Sequence, residues 1–153
     1  AVRADRTDLA KKILNDSQIN NKENFTETAK FFAMMLTTLH DNLEVAQLLL
    51  NDFKGDQLIK FAHRAIENNS ENILRYLLNE KHVAINDIYQ ASQWGLKKTA
   101  LMLAAENGEK GIVSMLAAGL SQRINECDFG GSTALHYAVR NGKIELIKIL
   151  LQR

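Results

Sequence analysis

Four histidines and one cysteine have the widest chemical repertoire in this 153-residue chain. His40, His63, His82 and His136 stand 23, 19 and 54 positions apart. Zinc sites draw on histidines and cysteines a few residues apart. None of these intervals is that short, so neither a metal nor another cofactor is expected. A reactive thiol needs a base beside it and a group that orients the base. Cys127 has Asp128 next to it and His136 nine positions on, but no further partner is evident. No G-x-x-x-x-G-K-S/T, G-x-G-x-x-G or G-x-S-x-G run is present, and each of those chemistries needs its glycine-framed loop. Gly130-Gly131 reads as a hairpin tip, where glycine serves the turn. No catalytic residue is expected, and the chain does not read as an enzyme.

Charge excludes further classes. Nineteen basic residues face eighteen acidic ones, with no polybasic tract. Arg64, Arg75, Lys97, Lys98 and Arg140 are scattered rather than interleaved with aromatics, which reads as a solvated face and gives no support for nucleic-acid or membrane binding. Runs such as Val45-Ala46 with Leu48 to Leu50 are far too short to span a bilayer. A single cysteine forms no internal disulfide and suits a reducing compartment, so a cytoplasmic location is expected. The opening residues Ala-Val-Arg-Ala-Asp-Arg contain no apolar signal core. With 46% hydrophobic residues the chain can bury a core.

The elements that must position any site repeat along the chain. Thr99-Ala-Leu-Met-Leu-Ala-Ala-Glu-Asn-Gly108 is echoed by Thr133-Ala-Leu-His-Tyr-Ala-Val-Arg-Asn-Gly142, 34 positions later. Each is followed by an apolar stripe at helical spacing, such as Ile144, Ile147 and Leu151. Weaker copies precede them, at Ala65-Ile-Glu-Asn-Asn69, Thr37-Thr-Leu-His-Asp41 and Ala1-Val-Arg-Ala-Asp5. The residues in the common turn slot are Asp5, Asp41, Asn69, Gly108 and Gly142, at intervals of 36, 28, 39 and 34. That slot needs a left-handed backbone, which glycine adopts freely and Asn or Asp tolerate. Two short amphipathic helices joined by a tight turn cannot bury their apolar faces alone, and stacking of neighbours does it.

Asp128-Phe-Gly-Gly131-Ser-Thr133-Ala-Leu135-His136-Tyr-Ala138-Val-Arg-Asn-Gly142 resembles the ankyrin repeat, with Asp, Gly, Thr, Leu, His, Ala and Gly in register. Residues 99–108 match well, with Met102 in the place of the usual His. The first 80 residues match in the second helix and the turn slot alone. The resemblance implies an all-α, ankyrin-type solenoid of about five stacked helix-turn-helix units with short β-hairpin-like connectors, its N-terminal repeats divergent. The units fall at about 1–20, 26–52, 56–80, 94–120 and 128–153, in a single domain spanning 1–153. Thr99 and Thr133 would cap first helices, and His136 would tie its hairpin to its helix. His63, at the matching slot, would do the same. Against that role for His136, Cys127 reads as a buried or half-buried spectator. The run Phe31-Phe32 with Met34-Met35 reads as core of the second unit.

There are departures. Ala100 and Ala134 stand where the family usually has proline at the first helical position. The segment Lys81 to Lys98 is about six residues longer than a standard connector, and Asn51 to Ile59 about four shorter. Both are expected to break the regular β-turn fingers. The chain starts inside a repeat and stops on the apolar face of a second helix, so it is expected to be a fragment of a longer protein.

The resemblance also implies a partner. Ankyrin-like stacks bind other proteins on the concave surface lined by hairpin tips and first helices. Mapped here, that surface comprises Phe129, Ser132, Arg140 and Asn141 in the last unit and Leu96, Lys98, Glu106 and Asn107 in the fourth. Trp94, where the family places Asp, either covers the core or serves as an exposed anchor. A protein-binding module, monomeric in isolation, is the leading expectation. The alternatives are the recruiting part of a larger enzyme or of a bacterial effector acting in a host cytosol, and a self-associating spacer. Fold does not name the target.

Overall fold

A computed structural model describes residues 27–51, 53–84, 89–91, 97–120 and 123–153. Among them the chain forms four helix pairs: α1 (Glu27–Leu39) with α2 (Leu43–Leu50), α3 (Asp56–Glu67) with α4 (Glu71–Asn79), α5 (Ala100–Asn107) with α6 (Lys110–Gly119), and α7 (Ala134–Arg140) with α8 (Ile144–Leu151). Two short strands, β1 (Tyr89–Ala91) and β2 (Lys97–Thr99), precede α5. The unit expected at residues 1–20 lies outside the described residues.

One local device makes every pair. The turn residue is left-handed in all four: Asp41 at φ 45°, Asn69 at 54°, Gly108 at 85° and Gly142 at 65°. The next amide then reaches back five residues, in Asn42 N–H to Thr37 C=O, Ser70 to Ala65, Glu109 to Ala104 and Lys143 to Ala138, at 2.7–3.3 Å. This closure satisfies a carbonyl that the ending helix would otherwise leave unpaired. It also reverses the chain so that the second helix lies against the first.

Packing follows. First helices stack on first helices, α1 on α3, α3 on α5 and α5 on α7, while α2 packs on α4 and α6 on α8. The core is a continuous row of their facing sides, with Ala46 and Leu50, Phe61 and Ile66, Ile73 and Leu77, Leu101 to Ala105, Ile112 and Leu116, and Ala138 and Leu146 all buried. Helix α5 is buried from Ala100 to Ala105, because it sits between α3 and α7 and against α6. Hydrogen bonds cross the joints at a repeated place. Asn68 donates to Thr38 Oγ1 (2.8 Å), Asn107 to Ile66 C=O (3.3 Å) and Asn141 to Glu106 C=O (3.0 Å). All three asparagines occupy the position just before the turn residue.

Four expectations need correction. The long connector does not abolish its finger: β1 and β2 pair antiparallel, Tyr89 opposite Thr99 and Ala91 opposite Lys97. Lengthening a loop costs little entropy, so added residues leave the pairing intact. The short connector is absorbed differently. Gly55 takes a positive φ of 51° and α3 begins at Asp56, so the first helix of that unit extends toward its N-terminus. His63 is therefore the eighth residue of α3 and not a cap. Its Nδ1 lies 3.7 Å from Glu67 Oε2, its Nε2 is buried with no hydrogen-bond partner among the described residues, and burial holds its pKa below the ordinary imidazole value. Finally, Cys127 is exposed rather than buried, because Asp128 takes the inward position beside it. In the second unit Met34 is buried as expected of core, whereas Phe32 is more than half exposed.

Asp41 also reaches the next unit. Its carboxylate accepts the N–H groups of Asn72 (3.3 Å) and Ile73 (3.1 Å) at the start of α4, and the Asn72 amide at 2.7 Å. Replacing Asp41 by alanine removes these acceptors and leaves a Cβ in the left-handed region. The expected loss is about 2 kcal/mol in urea unfolding, whereas Asp41→Gly, free of backbone strain, loses about 1 kcal/mol less. Equal losses would show that the turn conformation carries no cost.

Candidate protein-binding surface

The surface rests on the caps of α5 and α7. Thr133 Oγ1 accepts the His136 N–H at 3.4 Å, and His136 Nδ1 accepts the Thr133 N–H at 3.1 Å. The same ring nitrogen lies 2.9 Å from the Thr133 hydroxyl. The two residues close the helix start reciprocally. One unit earlier Thr99 Oγ1 accepts the Met102 N–H at 3.3 Å, and the Met102 sulfur accepts the Thr99 N–H at 3.4 Å. Methionine thus fills the histidine position with a weaker acceptor.

Ahead of α7 the turn 128–132 is organised by one carboxylate. Asp128 Oδ1 accepts the N–H groups of Gly130 and Ser132, both at 2.9 Å. Its backbone bonds to Ser132 and Gly131 close the loop, with Gly131 left-handed at φ 77°. The other oxygen, Oδ2, accepts the Tyr137 hydroxyl at 2.7 Å. The Tyr137 bond, then the Ser132 N–H, hold the Asp128 carboxyl below the usual range. Burial, then the bond to Asp128, push the Tyr137 phenol up to about 12.

Tyr137 is the hub between the last two units. Lys98 Nζ lies 5.0 Å and the Arg140 guanidinium carbon 4.6 Å from its ring centroid, both within reach of the ring's negative face. The two cations share one carboxylate: Lys98 Nζ to Glu106 Oε2 is 2.6 Å, and Arg140 Nη2 to Glu106 Oε1 is 3.7 Å. Phe129 stands at the turn tip, 79% exposed.

Of the nine residues expected at a binding surface, Lys98, Glu106, Arg140 and Asn141 converge on this α5–α7 joint. Asn107 and Asn141 spend their amides on the stacking bonds between units, so part of their role is structural. Ser132 serves the turn, through its backbone, while Phe129 is presented outward. Trp94 and Leu96 lie outside the described residues. Sequence reasoning missed Tyr137 as an organising residue. Its signal was an aromatic on a first helix, three positions before Arg140 and nine after the inward Asp128. Among the described residues no group of three or more His, Cys, Asp or Glu could hold a metal ion, and no helix is long and apolar enough to cross a membrane.

Stacked helix pairs, left-handed turns and Thr–His caps define a helical repeat protein. The chain belongs to the ankyrin repeat family: the family model for three copies of the ankyrin repeat matches residues 63–153. A search of curated proteins finds no match to the chain. Ankyrin repeats are generally protein–protein interaction modules and typically non-catalytic.

Tyr137→Phe removes the neutral donor to a buried carboxylate and is expected to cost about 2 kcal/mol in chemical denaturation. The pH profile has two arms. The Asp128 pKa is depressed in the fold, so its stabilisation holds above the ordinary carboxylate range and fades as pH falls through the lowered value. The Tyr137 pKa is raised, so its stabilisation is complete below pH 10 and is lost as pH rises toward about 12. Tyr137→Phe should abolish the alkaline loss and keep a neutral-pH plateau. An unchanged alkaline limb would contradict the assignment.

Proposed function

We propose that the chain is a protein-binding module, monomeric and without catalytic activity of its own, whose partner lies across the hairpin tips and first helices of the last two units. The observation that carries this reading is the α5–α7 joint. Lys98, Glu106 and Arg140 are drawn together around the Tyr137 ring, while Phe129 is exposed in the turn that the Asp128 carboxylate organises. A rigid aromatic and an arginine on a fixed frame are the residue types that dominate binding energy. A frame held by hydrogen bonds loses little entropy when a partner docks. Trp94 and Leu96 join the same proposed surface through their place in the sequence between β1 and β2.

The protein's own chemistry favours recognition over turnover. The His136 ring nitrogen that could act as a base is engaged in its helix cap. The exposed thiol of Cys127 makes its hydrogen bond to the Asn125 carbonyl, at 3.7 Å.

Immobilised protein should retain a partner from lysate that Trp94→Ala combined with Phe129→Ala no longer retains. Circular dichroism should show the variant folded. Arg140→Ala alone should weaken the captured complex about tenfold, in the range expected of a hot-spot arginine. Retention unchanged in both variants would remove this surface from consideration.

A further inference from the structure

The dipeptide Asn-Gly occurs twice in the sequence, at Asn107-Gly108 and Asn141-Gly142. It is the asparagine context most prone to lose the side-chain amide, because a glycine nitrogen with no Cβ beside it meets least hindrance in attacking the side-chain carbonyl. Both copies fall at the turn inside a helix pair, and both asparagines bridge to the preceding pair. The third bridging asparagine, Asn68, is followed by Asn69 instead of glycine.

The fold keeps the reacting atoms of Asn141 apart. Its backbone sits at φ −94° and ψ 6°, which turns the Gly142 nitrogen away from the Asn141 side chain. Ring closure therefore needs a large rotation about ψ. Three hydrogen bonds oppose that rotation, each at 3.0 Å. The Gly142 N–H donates to the Val139 carbonyl, the Lys143 N–H to the Ala138 carbonyl and Asn141 Nδ2 to the Glu106 carbonyl. The reaction thus belongs to an opened turn, and its rate in the folded protein follows how often that turn opens.

The two copies are guarded unequally. The Asn107 turn joins α5, which sits between α3 and α7, to α6, which packs on α8. The Lys143 side chain of the following pair also lies over it: a Cβ added at Gly108 would meet Lys143 Cε at 2.5 Å. At Gly142 nothing lies within 4 Å of that position, and among the described residues α7 and α8 pack on the preceding pair alone.

We infer that Asn141 is a conformationally gated deamidation site, closed while α7 and α8 are stacked on α5 and α6 and reactive when their turn opens. In the opened turn the Gly142 nitrogen bonds to Asn141 Cγ and the Cγ–Nδ2 bond breaks. Ammonia leaves, carrying the proton that the Gly142 nitrogen gives up, and a five-membered succinimide remains. Water then opens the ring at either carbonyl, giving aspartate or isoaspartate. Neither product restores the joint. Aspartate lacks the donor to the Glu106 carbonyl and sets a second negative charge beside Glu106. Isoaspartate adds a methylene to the main chain inside the loop that the Lys143–Ala138 bond closes. A transient opening of the last pair is thereby made permanent, whether or not a partner is bound.

The test holds the whole chain at neutral pH and follows each asparagine with time by peptide mass spectrometry and isoaspartate detection. Unfolded in guanidinium chloride, Asn107 and Asn141 should react at similar rates. In the folded protein Asn141 should slow at least about tenfold, and Asn107 at least about tenfold more than Asn141. Tyr137→Phe, which weakens the seat of α7, should speed Asn141 about tenfold, and denaturant below the unfolding midpoint should do the same without a substitution. Asn141→Asp should lower the unfolding midpoint further than Asn141→Ala, which loses the donor without gaining a charge. Asn141 reacting as fast folded as unfolded, no faster than Asn107 in the folded protein, or at a rate indifferent to low denaturant overturns the gating. An Asn141→Asp midpoint no lower than that of Asn141→Ala overturns the claim that the product resists re-stacking.

Discussion

The structure depends on a constraint of size. A helix pair of about twenty residues cannot bury enough apolar surface to offset the entropy of ordering itself. Each pair in this chain is therefore completed by its neighbour. The alanines of α5 and α7 let first helices approach closely, and the leucines, isoleucines and valines of α6 and α8 fill the space between second helices. Stability is then nearest-neighbour in character, and a change at one joint is felt chiefly by the two units that share it.

The polar features of the proposed binding surface are consequences of the same constraint. The asparagines before the turns bridge successive units, as Asn141 does to the Glu106 carbonyl. Tyr137 belongs to α7, yet its ring is contacted by Lys98 from the preceding unit. Its hydroxyl fixes Asp128 and through it the turn that presents Phe129. The tip is therefore positioned by a buried hydrogen bond and a stacked helix rather than by its own glycine-rich sequence. Loops held in this way can carry recognition without weakening the scaffold beneath them.

Much of this was legible in the sequence, and what was not has identifiable causes. The turn slots were readable because a left-handed backbone admits few residue types, and Asp41, Asn69, Gly108 and Gly142 all adopt it. The caps at Thr99 and Thr133 were readable because a hydroxyl at a fixed distance before an apolar helix has one local use. His63 was misplaced because counting back from Asn69 assumes a first helix of standard length, and Gly55 starts that helix early. The exposure of Cys127 depends on which of two adjacent side chains turns inward, and the hydrogen bond from Tyr137 to Asp128 decides it. The β1–β2 pairing was hidden because length alone does not reveal whether added residues enlarge a loop or destroy a finger. Tyr137 itself could be recognised as central once Lys98 from another unit was seen against its ring.

The tips and first helices of the last two units form the proposed partner surface, while the second helices serve the stack. Amide hydrogen exchange on the chain with and without its captured partner measures this directly. Added protection should concentrate in residues 97–107 and 128–141, with little change in α6. Protection confined to α6 and α8, with the tips unaffected, would contradict it.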